Sequence, residues 1–271
     1  MGGRHGAESA SYDEYRVIIL KGITKEYYRK FISDIAFAIF CENKEIISFE
    51  IVSTYVNDFF EIIKKLNKEI PKSLQEILPT FYFKESDNIN EGAIEFVHKS
   101  FREYMTAEKL WNDISRFPFS QTTIDKALSM QFISEEISVY LNEFHKMAPD
   151  DIKICVAEFL KQYLYAKLLV DGIILNNNIN SVSKLFFNIT LLLHITGTYS
   201  KITLNNQQMQ TLVFLANIFA VMHPSFKISI YGLGINKDQL NVDDDNITLK
   251  IKMNQSQKKI EFLWRADSND M

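Results

Sequence analysis

Phe96-Val97-His98-Lys99-Ser100-Phe101-Arg102-Glu103-Tyr104-Met105-Thr106-Ala107 is the stretch on which the fold reading turns. It begins inside a short β-prone run, Ile94-Glu95-Phe96-Val97, and passes directly into a segment of helical period. On a helix starting near His98, Phe101, Met105 and Glu108 share one side. Tyr104 and Ala107 widen the apolar stripe, because side chains three and four apart are neighbours on a helix. Physics alone reads this as a strand-to-helix junction whose aromatics fill a core, with the helix running over about 99–114.

Upstream of the junction lies a second strand candidate, Phe81-Tyr82-Phe83. The segment between the two strands, Glu85 to Gly92, holds Asp87, Asn88 and Asn90 and reads as a hairpin connection. Helical patterns precede the hairpin. Thr24 is a good N-cap for a helix over about 25–40, with Tyr28, Phe31, Ile32, Ile35 and Ile39 on one face. Ser48 caps a second helix, with Glu50 in its first turn where the dipole favours an acid. Its apolar face runs Ile51, Val52, Tyr55, Val56, Phe59, Ile62, Ile63 and Leu66. Pro71 starts a short third helix, Leu74–Leu78, and Pro79 stops it. A short apolar stretch, Val17–Leu20, comes before them all. Three helices followed by a hairpin is the pattern of a winged-helix domain, here over 12–117. The glycine-rich leader, 1–11, is unlike the rest and reads as a disordered leader or tag.

Downstream, 118–225 reads as helices only. Ile133, Ile137, Tyr140, Leu141 and Phe144 form one face. Pro149-Asp150-Asp151 opens another helix, faced by Ile152, Val156, Phe159, Leu160, Tyr163, Leu164 and Leu168. Asp171-Gly172 and Asn176-Asn177-Asn178 break the pattern. Val182 to Leu193 and Met209 to Val221 supply two more faces, the last ended by His223-Pro224. Short connections make an antiparallel helical array the expected packing. From 226 to 271 the period becomes two. Ile228 and Ile230, then Ile247 to Met253, then Lys259–Trp264 predict a small antiparallel β element, with 265–271 a frayed tail. The expected fold is therefore mainly α: winged helix, helical array, small β end.

The chain has 271 residues, 46% hydrophobic and 24% charged, with net charge −4. This is the composition of a globular chain able to bury a core, and its mild acidity provides no general attraction for nucleic acid or an anionic membrane. Leu185–Ile195 and Leu212–Met222 are each too short to span a bilayer, which needs about 20 residues. No apolar stretch near the start resembles a secretory signal. Cys41 and Cys155 are far apart in sequence and fit reduced thiols, so the expected location is cytoplasmic.

The chemical motifs are sparse. G-x-x-x-x-G-K-[ST], G-x-G-x-x-G, G-x-S-x-G and H-E-x-x-H do not occur. Gly232-Leu233-Gly234 reads as a bend, and Asp243-Asp244-Asp245 as a solvated turn rather than a metal site. His145, His194 and His223 have no partner at ligand spacing. His194 reads as a hydrogen-bonded core residue, while His145 and His223 sit near helix ends, where a partial positive charge suits the dipole. No catalytic residue and no metal ligand is assigned.

The pattern F-x-H-x-S-F-x-E-[YF]-x-x-A, carried by Phe96, His98, Ser100, Phe101, Glu103, Tyr104 and Ala107, resembles the end of the winged-helix domain in NACHT-type NTPases of the STAND class. The resemblance covers about 20–112. It implies an ATP-dependent signalling switch of the kind used in immunity, including bacterial antiviral defence. In such a switch ADP holds an ATPase core and the winged helix closed, and a C-terminal region senses a trigger. Exchange for ATP then permits oligomerisation. It further implies that His98 touches the nucleotide β-phosphate in the closed state, while Phe96, Ser100, Phe101, Glu103, Tyr104 and Ala107 pack the junction.

The missing Walker segments mean that this chain alone is expected to be no enzyme and to hold no cofactor. ADP or ATP with Mg would enter only with an ATPase core supplied in cis or in trans. The expected role is a non-catalytic regulatory and sensor region, either a C-terminal piece of a longer protein or a stand-alone product without its motor. Its expected partners are that core, a trigger molecule such as a protein, and further copies on activation, with no membrane and no nucleic acid. The competing reading is a winged-helix DNA-binding regulator with a helical dimerisation domain. It is disfavoured because Glu45, Glu50, Asp58 and Glu61 stand where phosphate contacts need clustered Lys and Arg.

Overall fold

A computed structural model describes residues 21–66, 83–85, 94–116, 121–169, 178–198, 202–232, 247–254 and 257–266. The expected leader, the Val17–Leu20 stretch, the 74–78 helix, the hairpin tip and the Asp243–Asp245 run lie outside them. Contacts divide the chain into two units, Met1–Lys109 and Leu110–Met271.

In the first unit α1 spans Lys25–Glu42. Thr24 caps it as expected, its Oγ1 accepting from the Tyr27 N–H at 3.4 Å. Asn43 ends it at φ 52°, one of the few residue types that enters the left-handed region readily. A short strand β1, Ile46–Ile47, follows and was not legible in the sequence. Ser48 then caps α2, Phe49–Ser53.

The single helix expected from Ser48 to Leu66 is instead two. The chain turns at Thr54–Val56 and resumes as α3, Asn57–Lys65. Tight bonds close the turn, Thr54 N–H to Ile51 C=O and Tyr55 N–H to Val52 C=O. The β-branched run Ile51, Val52, Thr54 and Val56 is a poor helix interior. Bending there lets Val52, Val56, Phe59, Phe60 and Ile63 all reach the core.

Strands β2, Phe83–Glu85, and β3, Ile94–Phe96, come next. The sheet order is β1-β3-β2, antiparallel throughout, with Ile47 opposite Ile94 and Phe83 opposite Phe96. Helix α4, Lys99–Ser115, leaves directly from β3, and the boundary between the units falls within it. The core gathers Phe31, Ile35, Ile39, Ile47, Val52, Phe59, Phe96 and Met105, with Phe31 and Phe59 stacked at 4.0 Å. Each buried aromatic of this kind contributes about 1.5–3 kcal/mol.

The second unit continues with α5, Gln121–Met130, α6, Glu135–Met147, and α7, Asp150–Leu169. Then come α8, Ile179–Ile195, and α9, Asn206–Met222. Helix α8 is its centre. Residues 186–193 are buried on every side, and α5, α6, α7 and α9 all pack against it. Phe219 of α9 stacks on Phe187 at 5.7 Å, and Phe226 meets both rings edge-on.

The β element departs from the expected all-antiparallel meander. Its strands are β4, Ile202–Leu204, β5, Lys227–Gly232, β6, Ile247–Asn254, and β7, Lys259–Ala266, in the order β4-β6-β7-β5. Strands β6 and β7 form the expected hairpin, but β5 pairs with β7 in parallel, from Lys227 opposite Lys259 to Gly232 opposite Trp264. Parallel neighbours need a long crossover rather than a tight turn. Here β6 itself is the return run, since the chain leaves β5 at Gly232 and comes back along Ile247–Asn254 before β7 begins at Lys259. Strand β4 lies between α8 and α9 in sequence and joins the same sheet. The tail expected from 265 is partly strand, since Arg265 and Ala266 pair with Thr248 and Ile247.

Candidate functional site

The β3–α4 junction places the seven motif residues in two groups. Phe96 is buried and its ring lies 5.9 Å from that of Phe101, so the two rings close the corner from either side. Phe101 and Tyr104 pack on the first unit's core, and Ala107 is fully buried. Glu103 is also buried, with Lys99 Nζ 3.6 Å away. His98 and Ser100 face solvent, together with Val97 and Lys99. The His98 carbonyl accepts the Arg102 N–H at 3.2 Å, so His98 occupies the cap position of α4. An exposed imidazole and hydroxyl at the positive end of a helix dipole can both donate to an anion.

Behind the junction, a set of charges joins α4 to α1. The Arg29 guanidinium bonds Glu108 at 2.6 and 2.9 Å and donates to the Tyr104 hydroxyl at 2.7 Å. These contacts, the Glu108 bond foremost, hold the Arg29 pKa above its usual range. One turn further along, the buried Asp34 carboxylate takes Lys30 at 3.0 Å and Lys109 at 3.4 Å. Lys30 also reaches Asp58 on α3 at 3.1 Å. Burial would lower Lys30, but Asp34 and Asp58 outweigh it and keep the ammonium above its ordinary value. The sequence reading missed this network. The Lys30–Asp34 spacing was visible as an i, i+4 pair, but Glu108 and Lys109 come from far along the chain.

The second unit holds two polar links that sequence reasoning also missed. Asn188, fully buried in α8, accepts from the Ile133 N–H at 2.9 Å. It also donates to the carbonyls of Leu128 and Gln131 at 2.8 and 2.7 Å. Tyr163 of α7 donates to Asp125 of α5, which also pairs with Lys167 at 2.8 Å. Burial and the Asp125 carboxylate push the Tyr163 hydroxyl far up, so it is a fixed donor rather than a base.

The histidines differ from the dipole expectation. Burial, helped by Lys153 for His145 and Lys184 for His223, pushes both below their ordinary value despite their places near helix C-termini. Burial likewise lowers His194. His145 Nδ1 is buried with no hydrogen-bond partner, and its ring meets Trp111 edge-on at 5.9 Å. His223 Nε2 lies 3.3 Å from Ser183 Oγ.

Among the described residues, no three metal-ligating side chains come together, and no helix is long and apolar enough to cross a membrane. An apolar cavity between α7, α8 and α9, lined by Leu164, Val182, Phe186, Leu212 and Lys167, measures about 20 Å³, the room of about one water. Comparison with protein families, with curated proteins and with solved structures found no match.

Proposed function

We propose that this chain is the non-catalytic regulatory and sensor region of a NACHT-type ATP-dependent switch acting in bacterial antiviral defence, with the first unit as its winged helix. The observation that carries the reading is the sorting of the motif. Phe96, Phe101, Glu103 and Ala107 are turned into the protein at the β3–α4 corner, whereas His98 and Ser100 stand outside it. His98 is not needed to fill the corner, so its ring is left accessible. A nucleotide sensor needs a donor free to reach a β-phosphate. The order α1-β1-α2-α3-β2-β3, with the sheet arranged β1-β3-β2, supports the winged-helix assignment. The core that binds ADP would come from elsewhere, in cis or in trans, and the second unit would receive the trigger.

The DNA-binding alternative has weaker support. On α3, Asp58 and Glu61 occupy Lys30 and Lys64, which removes two of the cations a phosphate backbone would require.

The test begins with the reading frame upstream of the Tyr12 codon. A continuous frame encoding G-x-x-x-x-G-K-[ST] supports the proposal, and the absence of such a segment both there and in neighbouring genes overturns it. In the joined protein, His98→Ala should release ADP at least about tenfold faster, the loss of one charge-assisted bond of about 1.5 kcal/mol. Unchanged ADP retention would remove His98 from the mechanism.

A further inference from the structure

The four-stranded sheet of the second unit has two unlike faces, which register and alternation separate. One face carries Ile202, Leu204 and Ile260, all fully buried, with Ile228 in the same row as Ile260. The other face begins with Lys227 opposite Lys259, then sets Glu261 opposite both Ser229 and Lys252. Lys250 and Arg265 hold positions of the same face further along β6 and β7. Five of the chain's 30 cations thus fall on this face with one of its 34 acids, on a chain of net charge −4.

Lys227, Lys252 and, in the β6–β7 turn, Lys258 are exposed and form no ion pair among the described residues. The Lys227 N–H bonds the Lys258 carbonyl at 2.8 Å, which ties that turn to β5. Lys259 holds Glu261 at 2.8 Å. Lys259 first, and Lys252 as well, keep this carboxylate below its ordinary value, so both lysines face it.

The charged surfaces of α6 and α7 are built differently. There lysines are matched with acids, in the pairs Glu143–Lys146, Asp150–Lys153 and Glu158–Lys161. Like charges directly opposite one another weaken a sheet, yet Lys227 stands opposite Lys259. Lysine on an edge strand deters strand addition, which accounts for Lys227 on β5. It does not account for Lys252 and Lys259, which lie on the interior strands β6 and β7.

From this we infer that the outward face of the sheet binds single-stranded nucleic acid through its phosphodiester backbone. The chain's overall acidity, which offers no general attraction for nucleic acid, averages over this face. Contacts to phosphate and sugar are made by Lys and Arg together with Ser, Thr and Asn. Ser229, Thr248 and Asn254 share the face with the cations. Protein interfaces are rich in aromatic residues, Met and Arg and poor in Lys, whereas this face has four lysines to one arginine. A duplex fits less well than a single strand. Its major groove, about 12 Å wide, admits a two-stranded ribbon. Four strands spaced about 4.8 Å apart measure about 14 Å between the outer backbones. A single strand can lie flat across them. The inference rests on the sheet alone and stands apart from the role proposed for the first unit.

Fluorescence anisotropy of the full chain with a labelled single strand of about 20 nucleotides and mixed sequence tests this. Binding should weaken about fiftyfold between 50 and 200 mM salt, as for about four neutralised phosphates on a single strand. Lys227→Ala with Lys252→Ala should weaken binding at least about tenfold at 50 mM salt and make it less salt-dependent, with the far-UV circular dichroism unchanged. Lys146→Ala with Lys153→Ala, which removes two paired lysines of α6 and α7, should change it less than about twofold. At equal charge, an unlabelled single strand should compete better than duplex DNA, polyglutamate or phosphatidylserine vesicles. No binding at 50 mM salt, or an equal loss in the two lysine pairs, overturns the proposal. So does better competition by the duplex, the polyglutamate or the vesicles.

Discussion

Asp34 shows how a single residue joins elements that sequence alone leaves apart. Its carboxylate is 5% exposed and is shared by Lys30 on its own helix and Lys109 on α4. Asp34→Ala takes a buried carboxylate away from two ammonium groups, of which Lys30 keeps its contact with the exposed Asp58. Lys30 stays partly solvated, so the expected loss lies between the exposed-pair and buried-pair values, at about 2–3 kcal/mol. Urea unfolding followed by circular dichroism measures it. Asp58→Ala is the control, because that side chain is 79% exposed and should change stability by less than about 0.5 kcal/mol. A loss at Asp58 as large as that at Asp34 would mean that the network is an ordinary surface cluster. The motif residues follow the same logic. Alternation of inward and outward positions between Phe96 and Ala107 could be read from the sequence, because helical period alone assigns the apolar side. Arg29 as the partner of Tyr104 and Glu108 could not, since nothing local marks a contact 75 or 79 residues away.

Elements in the second unit are tied by backbone needs as much as by apolar faces. The connection from α5 to α6 is short and partly buried, and Ile133 within it is fully so, so polar groups there need partners. Asn188 supplies three of them with one side chain. Asn188→Leu fills the space but removes the Asn188 bonds to one N–H and two carbonyls, and should cost about 3–4 kcal/mol. Asn188→Asp keeps the acceptor for Ile133 but faces two carbonyls, and should cost at least as much. Thermal unfolding of the two variants would settle whether Asn188 is a packing residue or a bonding one, since a packing role predicts that the leucine is tolerated. A sequence reading that follows apolar period passes over this residue, because an amide inside a hydrophobic run carries no sign of its partners. The same reading extended one helix across Thr54–Val56, where the apolar stripe continues although the backbone turns. It also missed α5, whose Ile124, Ala127 and Leu128 make only a short stripe. By contrast, the strongly periodic helices α1 and α4 were legible to within about two residues, and α9 in its apolar face and its end at His223 but not in its Asn205 cap. Parallel pairing of β5 with β7 was not, because alternation fixes which face of a strand is buried but says nothing of its neighbour's direction.

At the scale of the whole molecule, three partly buried histidines belong to one unit. His145, His194 and His223 all lie within Leu110–Met271, and burial lowers each of them. An imidazole whose folded pKa lies below its ordinary value of about 6.5 takes up a proton more readily in the unfolded chain. Its contribution to stability is complete above about pH 6.5 and is lost as the pH falls from there toward the folded pKa, by up to about 1.4 kcal/mol per pH unit for each group. Both tryptophans, Trp111 and Trp264, belong to this same unit, so their fluorescence reports its unfolding selectively. The urea midpoint seen by fluorescence should therefore fall between about pH 7.5 and 5.5, and His145→Gln with His223→Gln should flatten the dependence. A midpoint that does not move over that range would show that these imidazoles are free to charge in the folded state.

The interleaved sheet also imposes an order in time. Strands β4 and β5 bracket α9, yet among the described residues β4 pairs with β6 and β5 with β7, both of which come later in the chain. As the chain leaves the ribosome, the first unit can close while the second still shows two unpaired strand edges beside an uncharged helix. Open edges of this kind template association with other chains. Nascent chains halted before Ile247 are thus natural clients for a holdase chaperone, whereas chains carried through Ala266 can satisfy those edges from within.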